Sequence, residues 1–420
     1  MLYYQEYGFL SNPKSTINIM NKFNIKTTKL FSNAQHLQEN GCVFQYFEDD
    51  EFNGRSITVN GRKLLHFASC SYLGLEKHPL MIEASIKAVE KYGTQTPSSR
   101  AMFSSPLYKE LEEHLKQIFP GHHIVTQTVT LAHCSVLPLL IEENDAIILD
   151  AYAHNSIRMA SQLCKANGTF VLISRHNDME HVKYLIYRLK KEGRRNVWYC
   201  ADGIYSIHGD LCDIKGLQQL LDEEENFYAY IDDAHGTGWM GKNGSGYVIG
   251  NYGLHDKMIV VESFAKSMAT SGGGVIVPDK IIADMIRYTG QTLIFSGPIQ
   301  PPTLGSLIAC AKIHMSDELT QMQNELVDLI LYFRDRSQEL GIPIVTRDIT
   351  PIQLLQTGNL EITYNILKKL IEKGFFSMAV GYPAIAEGSE GLRITLTRHL
   401  TKDDINNFLS CLKEILIQKN

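Results

Sequence analysis

No run in this 420-residue chain approaches the roughly 18 consecutive apolar residues of a membrane helix, so no membrane span is expected. The first residues, MLYYQEYGFLSNPKS, carry no basic segment, no long apolar core and no small-residue cleavage site, and no secretory signal is expected from them. Neither sign of charge dominates. Forty Lys and Arg against 46 Asp and Glu give a formal charge of −6, which offers no global reason for nucleic acid or an acidic membrane as partner. The eight cysteines are scattered and form no CxxC pair, which argues against a zinc site or a disulfide framework. Reduced thiols in a cytoplasmic protein, with no bound metal, are the expectation. Internal repeats and low-complexity segments are also missing.

What is present is an ordinary globular balance, 44% hydrophobic and 20% charged, on a chain long enough for a large core. Residues 1–60 read as an N-terminal arm with room for one short helix, ending in a hairpin signal at Asn60-Gly61. Its aromatic start (Tyr3, Tyr4, Tyr7, Phe9) is expected to be a surface or dimer-packing extension, an acyl channel or carrier contact being the alternative. Over residues 61–300, short apolar runs such as AIILDAY, NVWYCADG, FYAYIDDA and KMIVVES alternate with amphipathic helices. That pattern predicts a large α/β domain with a mainly parallel sheet covered on both faces. Residues 301–420 open with two long helices and continue as a smaller α+β domain.

In open α/β sheets, functional residues collect beyond the carboxyl ends of strands. Five polar features stand at such ends or nearby. Asp232 and Asp233 close a hydrophobic strand, with His235 just after them. A buried carboxylate needs a positive partner. This one is either a cap or structural ion pair, or it keeps a heterocyclic nitrogen protonated beside a histidine. Lys266 ends the next apolar segment, in ESFAKSMATSGGG, with Glu262 as its one nearby acid. It is a surface charge or a desolvated amine usable as nucleophile or base, and Gly272 to Gly274 would let a backbone come close to what it holds. His154, in LDAYAHNS, precedes Asn155 and Ser156, which could cap a helix; the alternative is an imidazole stacked on a flat ring. Ser206 lies in DGIYSIHGD, after another strand. Arg393, inside the apolar GLRITLT, needs an acid, and a bound carboxylate gripped bidentately would supply one.

Singly these signals are weak. Together they supply what pyridoxal 5'-phosphate (PLP) requires: a Schiff-base lysine, an acid for the ring nitrogen, a stacking ring, and donors for the phenolic oxygen and phosphate.

From VNGRKLLHFASCSYLGLEKHP through DGIYSIHGDLC, IDDAHGTGWMG, SFAKS, IFSGPIQPP and LRITLT, the chain resembles the α-oxoamine synthase family of fold-type-I PLP enzymes, which includes 8-amino-7-oxononanoate synthase, 2-amino-3-ketobutyrate ligase and serine palmitoyltransferase. The resemblance implies Lys266 as the Schiff-base lysine, Asp232 on the pyridine nitrogen, His154 stacked on the ring, and His235 near the phenolic oxygen and reacting centre. It implies Ser206 on the phenolic oxygen, Ser263 near the phosphate, and Ser296 reaching the neighbouring subunit's phosphate in a homodimer with shared sites. Arg393 would hold the amino-acid carboxylate. Three departures stand out. The family's Gly-aromatic phosphate turn reads TVTLAH, so Val129 and Thr130 at this helix start would hold phosphate through hydroxyl and backbone amides. Cys70 replaces an asparagine in the substrate site, removing one contact to the carboxylate. Gly381 stands where 8-amino-7-oxononanoate synthases carry a second arginine.

The implied reaction condenses an α-amino acid with an acyl thioester, on coenzyme A or an acyl carrier protein, with loss of carbon dioxide to an α-amino ketone. An aminotransferase or aldolase-type lyase shares this fold and the Asp–Lys pair. A non-catalytic family subunit is the remaining alternative.

Overall fold

The computed structural model describes residues 28–382 and 384–418, so Tyr3, Tyr4, Tyr7 and Phe9 lie outside it. Its strands, in chain order, are β1 (Ser56–Val59), β2 (Arg62–His66), β3 (His122–Thr126), β4 (Ala146–Asp150), β5 (Phe170–Ser174), β6 (Val197–Asp202), β7 (Phe227–Asp232), β8 (Met258–Ser263), β9 (Gly273–Val277), β10 (Ile352–Gln356), β11 (Phe375–Phe376), β12 (Met378–Val380) and β13 (Gly391–Thr395).

Seven of them form the central sheet, in the order β3-β9-β8-β7-β6-β4-β5. The pairs β5/β4, β4/β6, β6/β7 and β7/β8 are parallel. β9 runs antiparallel to both of its neighbours, so the sheet is mixed and mostly parallel. Strand alternation sorts the core. Ile147 and Leu149 of β4 face a layer containing Val136, Ile157 and Ala160, whereas Ala146 and Ile148 face another containing Val182, Leu185 and Leu217. Both faces are therefore covered, which is why these strands read as continuous apolar runs.

After β4 the chain steps outward to β5 and returns across β4 to β6. The connections leaving the adjacent strands β4 and β6 run in opposite directions, to β5 and to β7, and open a crevice beyond the carboxyl ends. β4, β6, β7 and β8 end there at Asp150, Asp202, Asp232 and Ser263.

The hairpin β1–β2 turns at Asn60 and Gly61, both with positive φ (51° and 70°), the conformation of a two-residue type I′ turn. It is joined in parallel by β11 from the far end of the chain. Arg55 holds Asp404 through two hydrogen bonds of 2.9 and 2.7 Å, at the capped start of the last helix, Lys402–Ile417. The segment around Arg55 is thereby packed against the last described helix. β10, β13 and β12 form a second small antiparallel sheet carrying Arg393 at its centre. The two expected long helices are Pro301–His314 and Asp317–Glu339. None of the described helices is long and apolar enough to cross a membrane.

Candidate active site

A cleft of about 420 Å³ opens beyond these strand ends, lined among others by Cys70, His154, Asp202, Asp232, His235 and Lys266. It also takes in Thr128, Val129, Thr130, Ser263, Ser271 and Gly272. Residues from positions 70 to 272 thus meet in one cavity, as the topology of the crevice requires.

Asp232 ends β7 and is nearly fully buried. Its Oδ1 accepts the Ala234 N–H at 3.0 Å, and its Oδ2 lies 3.0 Å from His133 Nε2. His133 is fully buried on the helix Val129–Leu140, and its Nδ1 meets the Tyr230 hydroxyl at 2.9 Å. Burial alone would raise the Asp232 pKa. The hydrogen bond and charge of His133, with Lys266 and His154 nearby, outweigh it and lower the pKa. Asp202 stands opposite Asp232 in the β6–β7 register. Burial and the Asp232 charge push its carboxyl well up, opposite to the shift of Asp232.

His154 is itself the N-cap of the helix Asn155–Ala166, in place of Asn155 or Ser156, and its Nδ1 lies 2.7 Å from the Ser156 hydroxyl. Its backbone N–H donates to Asp202 Oδ1 at 2.9 Å. The residue serves as cap and as cleft wall at once. His235 is buried, with Nδ1 2.7 Å from the Tyr72 hydroxyl. Burial, then Lys266, Arg393 and His154, hold its pKa well down, so the ring is neutral. Either atom of the Tyr72–Nδ1 hydrogen bond can be the donor, so the single ring proton sits on Nδ1 or on Nε2.

Lys266 is half-buried in the loop after β8. Glu262 is not its partner: that carboxylate is buried against His123. The same pair explains Gly274, where a Cβ would sit 2.3 Å from both Glu262 Oε1 and His123 Nε2. Gly272, by contrast, lines the cleft and has a φ of +121°, which L side chains rarely adopt.

The helix Val129–Leu140 presents its N-terminus to the cleft, with the Thr128 hydroxyl capping the Leu131 N–H at 3.1 Å. Val129 and Thr130 are therefore first-turn residues, where free N–H groups favour an anion. Ser263 lies beside them, its hydroxyl accepting the Ala265 N–H at 3.2 Å.

Arg393 is buried at 4% exposure, yet no carboxylate among the described residues pairs with it. Its Nε donates to the Ser206 carbonyl at 2.6 Å, and its Nη2 lies 3.8 Å from Cys70 Sγ. Ser206 thus takes part through its carbonyl on Arg393; neither of the two lines the cleft, which Arg393 adjoins through Cys70. Burial would raise the Cys70 thiol pKa, but Arg393 and Lys266 outweigh it and lower it. Ser296 lies apart from this chain's cleft, its hydroxyl on the Thr292 carbonyl.

Three cleft partners escaped the sequence reading: His133, Asp202 and Tyr72. Asp202 had a signal, since it ends an apolar strand as Asp150 and Asp232 do. His133 and Tyr72 had none short of the fold itself.

An amine, an ionised carboxylate, a flanking imidazole and a hydroxyl-rich helix N-terminus are the donor set that fits PLP. The aminotransferase class I and II family model matches residues 62–412. The serine palmitoyltransferase of Bacteriovorax stolpii is 31% identical over 92% of this chain and 90% of its own length. The 8-amino-7-oxononanoate synthase of Alkaliphilus metalliredigens is 28% identical over 86% and 90%. A solved structure of serine palmitoyltransferase from S. paucimobilis, a lysine-to-alanine variant with bound PLP–myriocin aldimine, superposes with a TM-score of 0.85. It has 22% identity and covers 94% of this chain and 98% of that one, a likeness of fold. The chain's cofactor is PLP, and the chain belongs to the aminotransferase class I and II family, in its α-oxoamine synthase branch.

Proposed function

We propose that this enzyme condenses an α-amino acid with an acyl thioester and releases thiol and carbon dioxide, leaving an α-amino ketone. One observation carries the reading: the Lys266 amine and the Asp232 carboxylate line a single cleft, and beside its lining residue Cys70 stands the buried Arg393 guanidinium, with no carboxylate among the described residues paired to it.

Bound PLP supplies an electron sink for negative charge at the substrate Cα. Arg393 binds the substrate carboxylate, completing a charge pair that the fold leaves open. Lys266 moves the Cα proton. Asp232, kept ionised by His133, holds a proton on the cofactor's ring nitrogen. His235 would donate a ring N–H to the thioester carbonyl oxygen, where negative charge grows as the new C–C bond forms. His154 would pack on the cofactor ring, and Thr130, Ser263 and the first-turn amides would hold its phosphate. Cys70, beside Arg393, would line the carboxylate end of the site.

A homodimer with Ser296 at the shared boundary fits the neighbouring Phe295, which is 83% exposed. The eight free cysteines fit a cytoplasmic setting. Coenzyme A and an acyl carrier protein both remain donors to test.

The experiment incubates the PLP-loaded protein with amino acids, each with and without acyl thioesters. Thiol release that requires both substrates supports the reading. Conversion of the amino acid to an oxo acid without thiol release would point to an aminotransferase, and a colourless protein that fails to bind PLP would point to a non-catalytic subunit.

A further inference from the structure

Asp150 closes β4 as Asp202 and Asp232 close their strands, yet its carboxylate does not line the cleft. It is fully buried and accepts from the Tyr152 N–H at 2.7 Å, the Asn177 N–H at 2.8 Å and the Tyr199 hydroxyl at 3.0 Å. His176 Nδ1 lies 3.0 Å from the same carboxylate, and His176 Nε2 lies 2.7 Å from Asp210 Oδ2. An imidazole facing a carboxylate at each nitrogen satisfies both only as a double donor. His176 is therefore an imidazolium. Burial opposes that charge, but the hydrogen bonds to Asp150 and Asp210 outweigh it and raise the pKa to about 9. Tyr152 stacks on the ring at 4.1 Å, and Tyr205 meets it edge-on at 4.4 Å.

Asp210 belongs to a tight turn, 204–211, closed by the Ile204–Leu211 bridge and by the Tyr205 N–H on the Asp210 carbonyl at 3.0 Å. The C-terminal part of the chain grips the turn from its other side. Thr346 and Thr350 donate their hydroxyls to the His208 and Gly209 carbonyls, both at 2.6 Å, and the Leu211 N–H donates to Asp348 at 3.0 Å. Gly209 has a φ of +70°, and a Cβ there would sit 2.2 Å from the Ile352 carbonyl oxygen. The turn's own output is the Ser206 carbonyl, on Arg393 Nε.

We propose that His176 is a positioning residue for the amino-acid substrate: bonded at once to Asp150 and Asp210, it fixes the 204–211 turn so that the Ser206 carbonyl aims the Arg393 guanidinium at the substrate carboxylate. This rests on the reading of Arg393 as the carboxylate holder. The asymmetry of the two acids decides what moves without the imidazolium. Asp150 keeps three other donors, whereas Asp210 Oδ1 has no partner. Two carboxylates left facing each other repel, and the displacement falls on Asp210 and its turn.

The test compares wild type, His176→Gln, Asp210→Asn and the double variant, all loaded with PLP. Amino-acid affinity is read from the change in cofactor absorbance at equilibrium and from KM. His176→Gln is expected to raise the amino-acid Kd and KM about tenfold, the loss of one charge-assisted hydrogen bond. Turnover at saturating amino acid, thioester KM and PLP binding should change less than about twofold on that scale. In the double variant a neutral amide chain replaces the charged one, and affinity should recover. Should His176→Gln fail to fold, Asp210→Asn alone, with a partly exposed side chain, carries the same expectation. Unchanged amino-acid affinity in the folded variant overturns the proposal. So does an equal loss of PLP binding and turnover, which marks a purely structural role. If affinity is lost and the thioester KM rises alike, the proposal also falls. A wild-type cofactor spectrum that no amino acid changes would overturn instead the reading of Arg393, and this proposal with it.

Discussion

His133 Nε2 lies 3.0 Å from Asp232 Oδ2, while the other ring nitrogen holds the Tyr230 hydroxyl at 2.9 Å. The acid proposed for the cofactor's ring nitrogen is thus supported from behind by a buried chain, Tyr230–His133–Asp232. His133 opposes the effect of burial and keeps the Asp232 carboxylate ionised. His133→Leu should remove that support and lower kcat/KM by about ten- to a hundredfold, the range of a lost hydrogen bond to a charged group. His133→Asn, which retains a donor, should lose less. Steady-state kinetics, with the pH dependence of cofactor absorbance as a second readout, checks the order.

Arg393 has a carbonyl and a thiol beside it but no described carboxylate. Arg393→Ala should raise the amino-acid KM by about a hundredfold, from two lost charge-assisted hydrogen bonds. Thioester KM should stay near its original value. An unchanged amino-acid KM would place the carboxylate elsewhere.

Cys70 is the one cysteine that both lines the cleft and has a lowered pKa, despite burial, through Arg393 and Lys266. Cys42, Cys134, Cys164, Cys200, Cys212, Cys310 and Cys411 are all pushed up by burial. Since the thiolate is the nucleophile, limited alkylation should label Cys70 first. A bound amino acid should protect it, and Arg393→Ala should slow the labelling. Peptide mass spectrometry reads all three effects.

His176 also carries a sign for stability. Its folded pKa, about 9 against an ordinary 6.5, is raised. The imidazolium therefore stabilises the fold fully below the ordinary histidine pKa, and the contribution is lost as pH rises through the folded value. Urea denaturation from about pH 6 to about pH 10 should show a falling wild-type midpoint, with the difference from His176→Gln shrinking toward the alkaline end.

Much of this was legible in the sequence because buried parallel strands announce themselves as apolar runs, and each polar residue at a run's end marks the crevice. Lys266, Asp232, His235 and His154 were found that way, and the structure gathers all four in the cleft. Hydrophobic pattern does not encode strand direction, so the antiparallel course of β9 was invisible. Sequence proximity misled at Glu262, whose partner His123 comes from another strand. His133 sits on an apolar helix and looks like core until β7 is packed against it. The pairing of β2 with β11 joins segments more than 300 residues apart, which no local signal specifies.

The most direct measurement of the central claim is thiol release by the PLP-loaded protein given an amino acid and an acyl thioester, run beside Lys266→Ala. The account predicts thiol release that needs the amino acid, falls to background in the variant, and disappears together with the visible absorbance of the resting enzyme. Comparable thiol release from Lys266→Ala, or amino-acid turnover in the wild type with no thiol released, would contradict it.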